Sequence, residues 1–271
     1  MAYRIREVSL PLLPPGRPAL RILHFSDIHL VPRQRKSIDF IKSWRKLDVD
    51  MVISTGDHIA SPESIFSLQE ALGPLLEKPG FFVFGSNDYY GPRFKNPMRY
   101  LLPDNGKRNH GSELPWKDLE KSLSSLGWVN TTHKITRTTV SGTTLEVRGT
   151  DDAHLNRDDY MQVSGTRGNV DLSIGITHAP YARLLSAMAD DKVDLIFAGH
   201  THGGQIRIPW FGGTQSLTTN CDLPRWRSRG ITRVEEKPWL HVSAGMGHNP
   251  MLPFRLFSPK EASVLTLISH S

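Results

Sequence analysis

Apolar runs that stop abruptly at Asp, His or Asn recur along this chain. Residues 20–25 run into SDIH, 51–54 into TGDH and 81–84 into GSND. Residues 145–147 run into RGTDD, 172–176 into THAP and 193–197 into AGHTHGG. Short continuous apolar runs bounded by turn residues read as strands buried on both faces. Between them, apolar residues recur at helical spacing. Ile38, Ile41, Trp44 and Leu47 form one such face, and Ile65, Leu68, Leu72 and Leu75 a second. Leu119, Leu123 and Leu126 mark a third helix, and Leu184, Leu185 and Met188 a fourth. Strand alternating with helix predicts an α/β fold, in which ligands bind beyond the carboxyl ends of the strands. After Gly204 the pattern changes to strands and loops, ending in the alternating segment 262–268.

At 271 residues the chain can bury one sizeable core, and it shows no internal repeat or low-complexity linker, so we expect a single domain. We place its start at residue 19, with residues 1–18 as an N-terminal extension or strand; Tyr3, Ile5, Val8 and Leu10 alternate there as in a strand. No apolar run approaches the roughly 18 residues of a membrane span, and residues 1–16 carry neither a secretory apolar region nor a cleavage site. The expected address is the cytoplasm or a membrane surface, with any leader or anchor lying outside this sequence. The single cysteine, Cys221, excludes an internal disulfide framework and a cysteine-based zinc site. A net charge of +6 favours anionic partners: phosphorylated small molecules, acidic lipid headgroups or nucleic acid. The basic residues form no repeated stripe, which argues against nucleic acid. The sequence is silent on oligomeric state.

Residues 91–115 and 208–237 are long for connections inside a compact domain. The first interleaves Arg93, Lys95, Arg99, Lys107 and Arg108 with Phe94, Tyr100 and Leu101. A solvated basic loop accounts for this composition. So does a basic and apolar cap over an anionic or lipid substrate, with Arg93 as a substrate contact and peripheral contact with a membrane.

The polar residues at the strand ends make one set: Asp27, His29, Asp57, Asn87, His178, His200 and His202. Alone, each would read as a cap, a turn residue or a hydrogen-bonded core histidine. Together, on loops that parallel strands bring to one edge, they read as a metal site. Imidazole and carboxylate without thiolate suit manganese, iron, zinc, cobalt or nickel. In D-x-H and H-x-H, alternate residues of extended chain can face one cluster. Gly56, Gly85, Gly199, Gly203 and Gly204 would let backbone approach it closely.

In order, SDIH, TGDH, GSND, THAP and GHTHGG resemble the motifs of the calcineurin-like metallophosphoesterases. GHTHGGQ, with the late segment Arg255, Leu256, Pro259 and Glu261, is similar to a bacterial branch that is often membrane-associated or exported. The resemblance runs from about residue 19 to the C-terminus. It implies a four-layer α/β/β/α sandwich with its metal site at the carboxyl ends of the strands. It also implies two divalent or trivalent ions, manganese first among the candidates, about 3.5–4 Å apart. Asp27, His29 and His202 would hold the first ion, Asn87, His178 and His200 the second, and Asp57 would bridge them. The expected reaction is hydrolysis of a phosphate mono- or diester by a metal-bridging hydroxide. A lipid-linked or headgroup phosphate is one candidate substrate.

The family places a histidine after the ligand asparagine, and GSND has none. Aligned without a gap, Ser86 takes the ligand's position; shifted by one residue, Asn87 keeps it and Asp88 replaces the histidine. We adopt the shift, because an amide oxygen is the better ligand. A proton for the leaving group would then come from His58, from Asp88 or from metal-bound water. Asp151 and Asp152 read as outer-sphere residues, with Asp152 as a substrate contact. The alternative functions are a metal-dependent nuclease, a cyclic-nucleotide phosphodiesterase and a non-catalytic scaffold.

Overall fold

A computed structural model describes residues 3–92, 110–210, 213–235, 238–248 and 255–270. The strands β1 (Tyr3–Leu13), β2 (Leu20–Phe25), β3 (Met51–Ser54), β4 (Gly80–Phe82) and β5 (Val129–Asn130) belong to a first sheet, with β14 (Lys260–Ser269). Its order is β1-β14-β2-β3-β4-β5, and β2 to β5 run parallel. The second sheet has β6 (Lys134–Val140), β7 (Thr143–Gly149), β8 (Leu172–Ile176), β9 (Leu195–Ala198), β12 (Gly230–Arg233) and β13 (Trp239–Val242). Here the order is β12-β13-β9-β8-β7-β6, with β7, β8, β9 and β13 parallel. A separate hairpin joins β10 (Arg207–Trp210) to β11 (Gly213–Ser216).

The strands β2, β3, β8 and β9 carry buried side chains at every position or nearly so, because both faces of each sheet are covered. Leu20, Ile22, Met51 and Ile53 of the first sheet meet Leu145, Val147, Ile174 and Phe197 of the second in the central layer. Outside the first sheet, α1 (Arg35–Ser43), α2 (Ser64–Leu72) and α4 (Trp116–Ser124) pack Ile38, Ile41, Leu68, Leu72 and Leu119 over Leu23, Val52 and Phe82. Outside the second, α5 (Ala182–Asp190) packs Leu185 and Met188 over Ile196 and Val242. The result is the four-layer α/β/β/α sandwich.

The sequence and the structure differ in several places. The run 81–84 remains buried, but β4 stops at Phe82, because β5 offers it only two residues to pair with. The run at 145–147 is longer than its apolar centre, since polar Thr143, Thr144 and Gly149 continue the ladder with β6. Leu126 is 44% exposed in the turn after α4, outside the buried face of that helix. The segment 262–268 alternates in sequence yet is mostly buried, because β14 lies between β1 and β2 rather than at an edge. Among the described residues no helix is long and apolar enough to cross a membrane.

Candidate metal centre

Hydrogen bonding between chain segments continues past the ends of the strands, and this draws the polar loops together. Asp27 N donates to Gly56 O (2.9 Å), His29 N to Asp57 O (2.9 Å) and Leu30 N to His58 O (3.0 Å), so the loops after β2 and β3 lie side by side. On the second sheet Gly199 N donates to His178 O (2.8 Å). Two donors then stitch the sheets across the site. The amide of His200 donates to both oxygens of Asp27 (3.0 and 3.1 Å), and His178 Nδ1 donates to Thr55 O (2.6 Å).

Asp27, His29, Asp57, His200 and His202 all have left-handed backbone, with φ between 46° and 69°. Such conformations cost about 1–3 kcal/mol each and persist where the surroundings over-determine them, as at functional sites. The D-x-H and H-x-H pairs thus meet the cluster from left-handed backbone, not from the extended chain expected from their spacing.

Asp27, His29, Asp57 and His202 each bring a possible ligand atom into a group whose atoms lie within 4.8 Å of one another. Asp57 Oδ2 is 3.4 Å from His29 Nε2 and 3.5 Å from His178 Nε2. His202 Nε2 lies 3.3 Å from His29 Nε2 and 3.6 Å from Asp27 Oδ1. Asn87 sits in the first turn of α3 (Ser86–Tyr89), where its backbone amide and its Nδ2 donate to the two oxygens of Asp57, each at 2.7 Å. The His200 ring is edge-on to His178 at 5.2 Å, and its Nε2 contacts Asn220 O at 3.0 Å. Asp27, His29, Asp57 and His202 thus come together, with Asn87 and His178 against Asp57 and the His200 ring beside His178. Ser86 Oγ instead accepts a bond from Asn87 Nδ2 (3.3 Å).

His58 and Asp88 lie against this group but are turned to other partners. Asp88 accepts from the backbone amides of Asp57 (2.8 Å), His58 (2.7 Å), Gly85 (3.0 Å) and Ile59 (3.4 Å). His58 is fully buried, with Nδ1 3.0 Å from Asp88 Oδ2 and Nε2 2.7 Å from Ser54 Oγ. Asp152 is fully buried beyond β7; Asp151 beside it is held by Tyr89 Oη and Arg157, both at 2.8 Å. Arg93, with Lys95 and Arg99, lies outside the described residues.

The electrostatics suit cations. Burial raises Asp27 to about 6 and Asp152 to about 7. Burial also acts to raise Asp57, but His178 and His29 outweigh it and hold that carboxyl far below the usual range. Burial would lower His178, yet Asp57, Asp152 and Asp27 raise it to about 9. Burial lowers His29 and His202, which keeps both imidazoles neutral. Several buried carboxylates thus converge with neutral imidazoles, and His178 Nε2 has no hydrogen-bond partner. This nitrogen and oxygen donor set without sulfur fits borderline to hard transition metals.

Close backbone approach is part of the fit. A Cβ on Gly85 would lie 2.3 Å from Asp57 Oδ1, and one on Gly199 would lie 1.9 Å from Ser26 Oγ and 2.7 Å from Asp27 Oδ2. Gly199→Ala is therefore expected to fold but to push Asp27 aside, weakening metal binding by about 10–100-fold, as loss of a supporting partner does. Calorimetric metal titration checks this; an unchanged affinity would mean that Ser26 yields and Asp27 stays.

Sequence reasoning missed several supporting residues. Thr55 and Asn220 act through backbone carbonyls, and no side-chain motif reports a carbonyl. The His154 ring packs tilted against His200, 4.5 Å between centroids. Arg255 is buried and reaches His202 O (3.0 Å) and Gly247 O (2.7 Å), tying the H-x-H loop to the loop after β13. Its place in the late R-L…P-x-E segment was the only signal. His24 and His241 meet between the sheets at 2.7 Å, and His24 Nε2 reaches Thr55 Oγ1 at 3.0 Å.

Comparison with known proteins agrees with this geometry. Residues 20–204 match the calcineurin-like phosphoesterase family. A bovine transmembrane protein with metallophosphoesterase domain is 28% identical over 96% of this chain, which spans 56% of that protein. The metallophosphoesterase YkuE of Bacillus subtilis is 28% identical over 97% of this chain and 84% of its own length. The UDP-2,3-diacylglucosamine pyrophosphatase LpxG of Chlamydia muridarum is 24% identical over 91% of this chain and 83% of its own. With a match that covers most of the sheet-forming chain and a nitrogen and oxygen ligand set at its strand ends, this protein belongs to the calcineurin-like phosphoesterase family and is a phosphoric ester hydrolase.

Proposed function

We propose that the protein hydrolyses a phosphate mono- or diester at a site holding two cations, with Asp57 shared between them. The observation that carries this reading is the position of Asp57. His29 reaches its Oδ2 from one side at 3.4 Å and His178 at 3.5 Å, while both oxygens are braced by Asn87. Asp27, His29 and His202 would hold one ion, and His178, His200 and Asn87 the other. When bound, such ions acidify a water molecule and hold phosphate oxygens for in-line displacement. The chain's own residues place and orient that machinery. Thr55 O holds the His178 ring by its Nδ1 and so presents Nε2 to the site. Asp88 gathers the backbone amides of residues 57–59, and His58 fills the space between Asp88 and Ser54.

That placement gives His58 and Asp88 positioning roles in this proposal, in place of the proton-donor roles expected from sequence. His58→Ala should then lower turnover of p-nitrophenyl and alkyl phosphate esters by the same factor. A loss confined to alkyl esters, whose leaving group needs a proton, would restore His58 as the donor.

We read the substrate as a lipid-linked or headgroup phosphate. The lipid-related name of the Chlamydia relative supports this, as do the basic and apolar residues of 91–115, among them Arg93. Contact with a membrane surface belongs to the same reading. Chelation should abolish turnover of aryl mono- and diesters, and Mn²⁺ should restore it, with phospholipid headgroup esters turned over alongside. Full turnover after chelation would overturn the proposal.

A further inference from the structure

Asp151 and Asp152 are adjacent, yet their surroundings differ. Asp151 is satisfied: Tyr89 Oη donates to Oδ1, Arg157 Nε donates to Oδ2, and the Asp152 amide donates to Oδ1 at 2.7 Å. Asp152 is fully buried, and only its Oδ1 is bonded, by the His154 amide at 2.9 Å. Its Oδ2 has no hydrogen-bond partner. A buried carboxylate oxygen without a donor is costly unless a proton or a cation satisfies it.

The fold puts the segment that carries Asp152 beside the loop of His178. β7 and β8 are parallel, and their pairing continues beyond the strands through Thr150 N to Ile176 O (3.1 Å) and Thr150 Oγ1 to Thr177 Oγ1 (3.3 Å). Asp152 thus leaves β7 alongside the point where His178 leaves β8. It caps the short turn Ala153–Leu155, whose His154 ring packs on His200 at 4.5 Å, and His200 is edge-on to His178 at 5.2 Å. His178 Nε2, also fully buried, likewise lacks a hydrogen-bond partner. The charges that act on Asp152 are those of His178, Asp57 and Asp151, so it shares the field of the ligand group. A carboxylate in that field attracts a cation and repels a phosphate, which argues against the substrate-contact role expected from sequence.

We propose that Asp152 is a carboxylate ligand of the second cation, on the side of the site formed by His178 and His200. This rests on the two-cation reading above. It gives that ion a second anionic ligand besides Asp57 and favours a hard or borderline divalent metal.

Asp152→Asn keeps an oxygen that accepts from His154 and puts an uncharged NH₂ in place of Oδ2. Metal content per chain and affinities for Mn²⁺ and Zn²⁺ would be measured for the wild type, Asp152→Asn and Asp151→Asn. We expect one of two ions to bind at least about 100-fold more weakly in Asp152→Asn, more than loss of an outer partner causes. Asp151→Asn should keep both ions. In EDTA the melting temperature of Asp152→Asn should equal or exceed that of the wild type, and its rise on adding Mn²⁺ should be smaller. Two ions in Asp152→Asn at unchanged affinity would overturn the inference alone. So would a lower melting temperature in EDTA with an unchanged rise on Mn²⁺, the mark of a purely structural residue. Fewer than two ions in the wild type would overturn the two-cation reading itself, and the inference with it.

Discussion

Asp57→Asn is expected to cost both ions and lower turnover by more than about 10³-fold, well beyond the roughly 10–100-fold that follows loss of an outer partner. The physical reason is the number of donors that already converge on this carboxylate. Asn87 gives it two bonds of 2.7 Å, and His29 and His178 lie within 3.5 Å of Oδ2. An asparagine has one acceptor where the carboxylate has two, and its NH₂ would face other donors or a cation. The negative charge that raises His178 and would hold two cations together disappears as well. Metal content should therefore fall for both ions at once, whereas His202→Ala should empty mainly the first site. Elemental analysis of purified protein, with aryl phosphate turnover on the same samples, checks both statements. Two ions and full turnover in Asp57→Asn would show that the carboxylate does not bridge.

The largest stability loss should follow Arg255→Ala. This buried guanidinium, lowered to about 10 by burial, donates to the carbonyls of Gly247 (2.7 Å), His202, Ser258 and Pro259 (3.0 Å each), Gly245 (3.2 Å) and Ala244. His202 O and Gly245 O keep other donors, but alanine takes the guanidinium from the carbonyls of Gly247, Ala244, Ser258 and Pro259, at about 1–3 kcal/mol for each that water cannot reach. A loss of at least about 3 kcal/mol follows, a drop of roughly 6–12 °C in melting temperature for a domain of this size. Arg255→Lys should recover only part of it, because an ammonium is a point charge with three donors and cannot span the same set of carbonyls. Melting in EDTA isolates this from metal binding. A shift under about 2 °C in Arg255→Ala would mean that water replaces the guanidinium.

The amino-acid sequence determined the architecture and the chemistry of the centre. The runs 20–25, 51–54 and 172–176 coincide with β2, β3 and β8, because strands covered on both faces must be continuously apolar. The abrupt change from apolar to Asp, His or Asn at their ends marked the candidate ligands, of which Asp27, His29, Asp57 and His202 come together and Asn87 and His178 contact Asp57. Tertiary structure alone decided what those side chains face. Asp88 and His58 stand one residue from candidate ligands in sequence, yet each is turned to backbone amides or to Ser54. Asp151 and Asp152 look alike in sequence, and only packing separates a carboxylate satisfied by Tyr89 and Arg157 from one with an unpartnered oxygen. Carbonyl partners such as Thr55 O and the guanidinium clamp of Arg255 depend on where distant backbone comes to rest. Periodicity reports which face of an element is buried; it carries no information about which donor will meet which acceptor once two sheets have closed on each other.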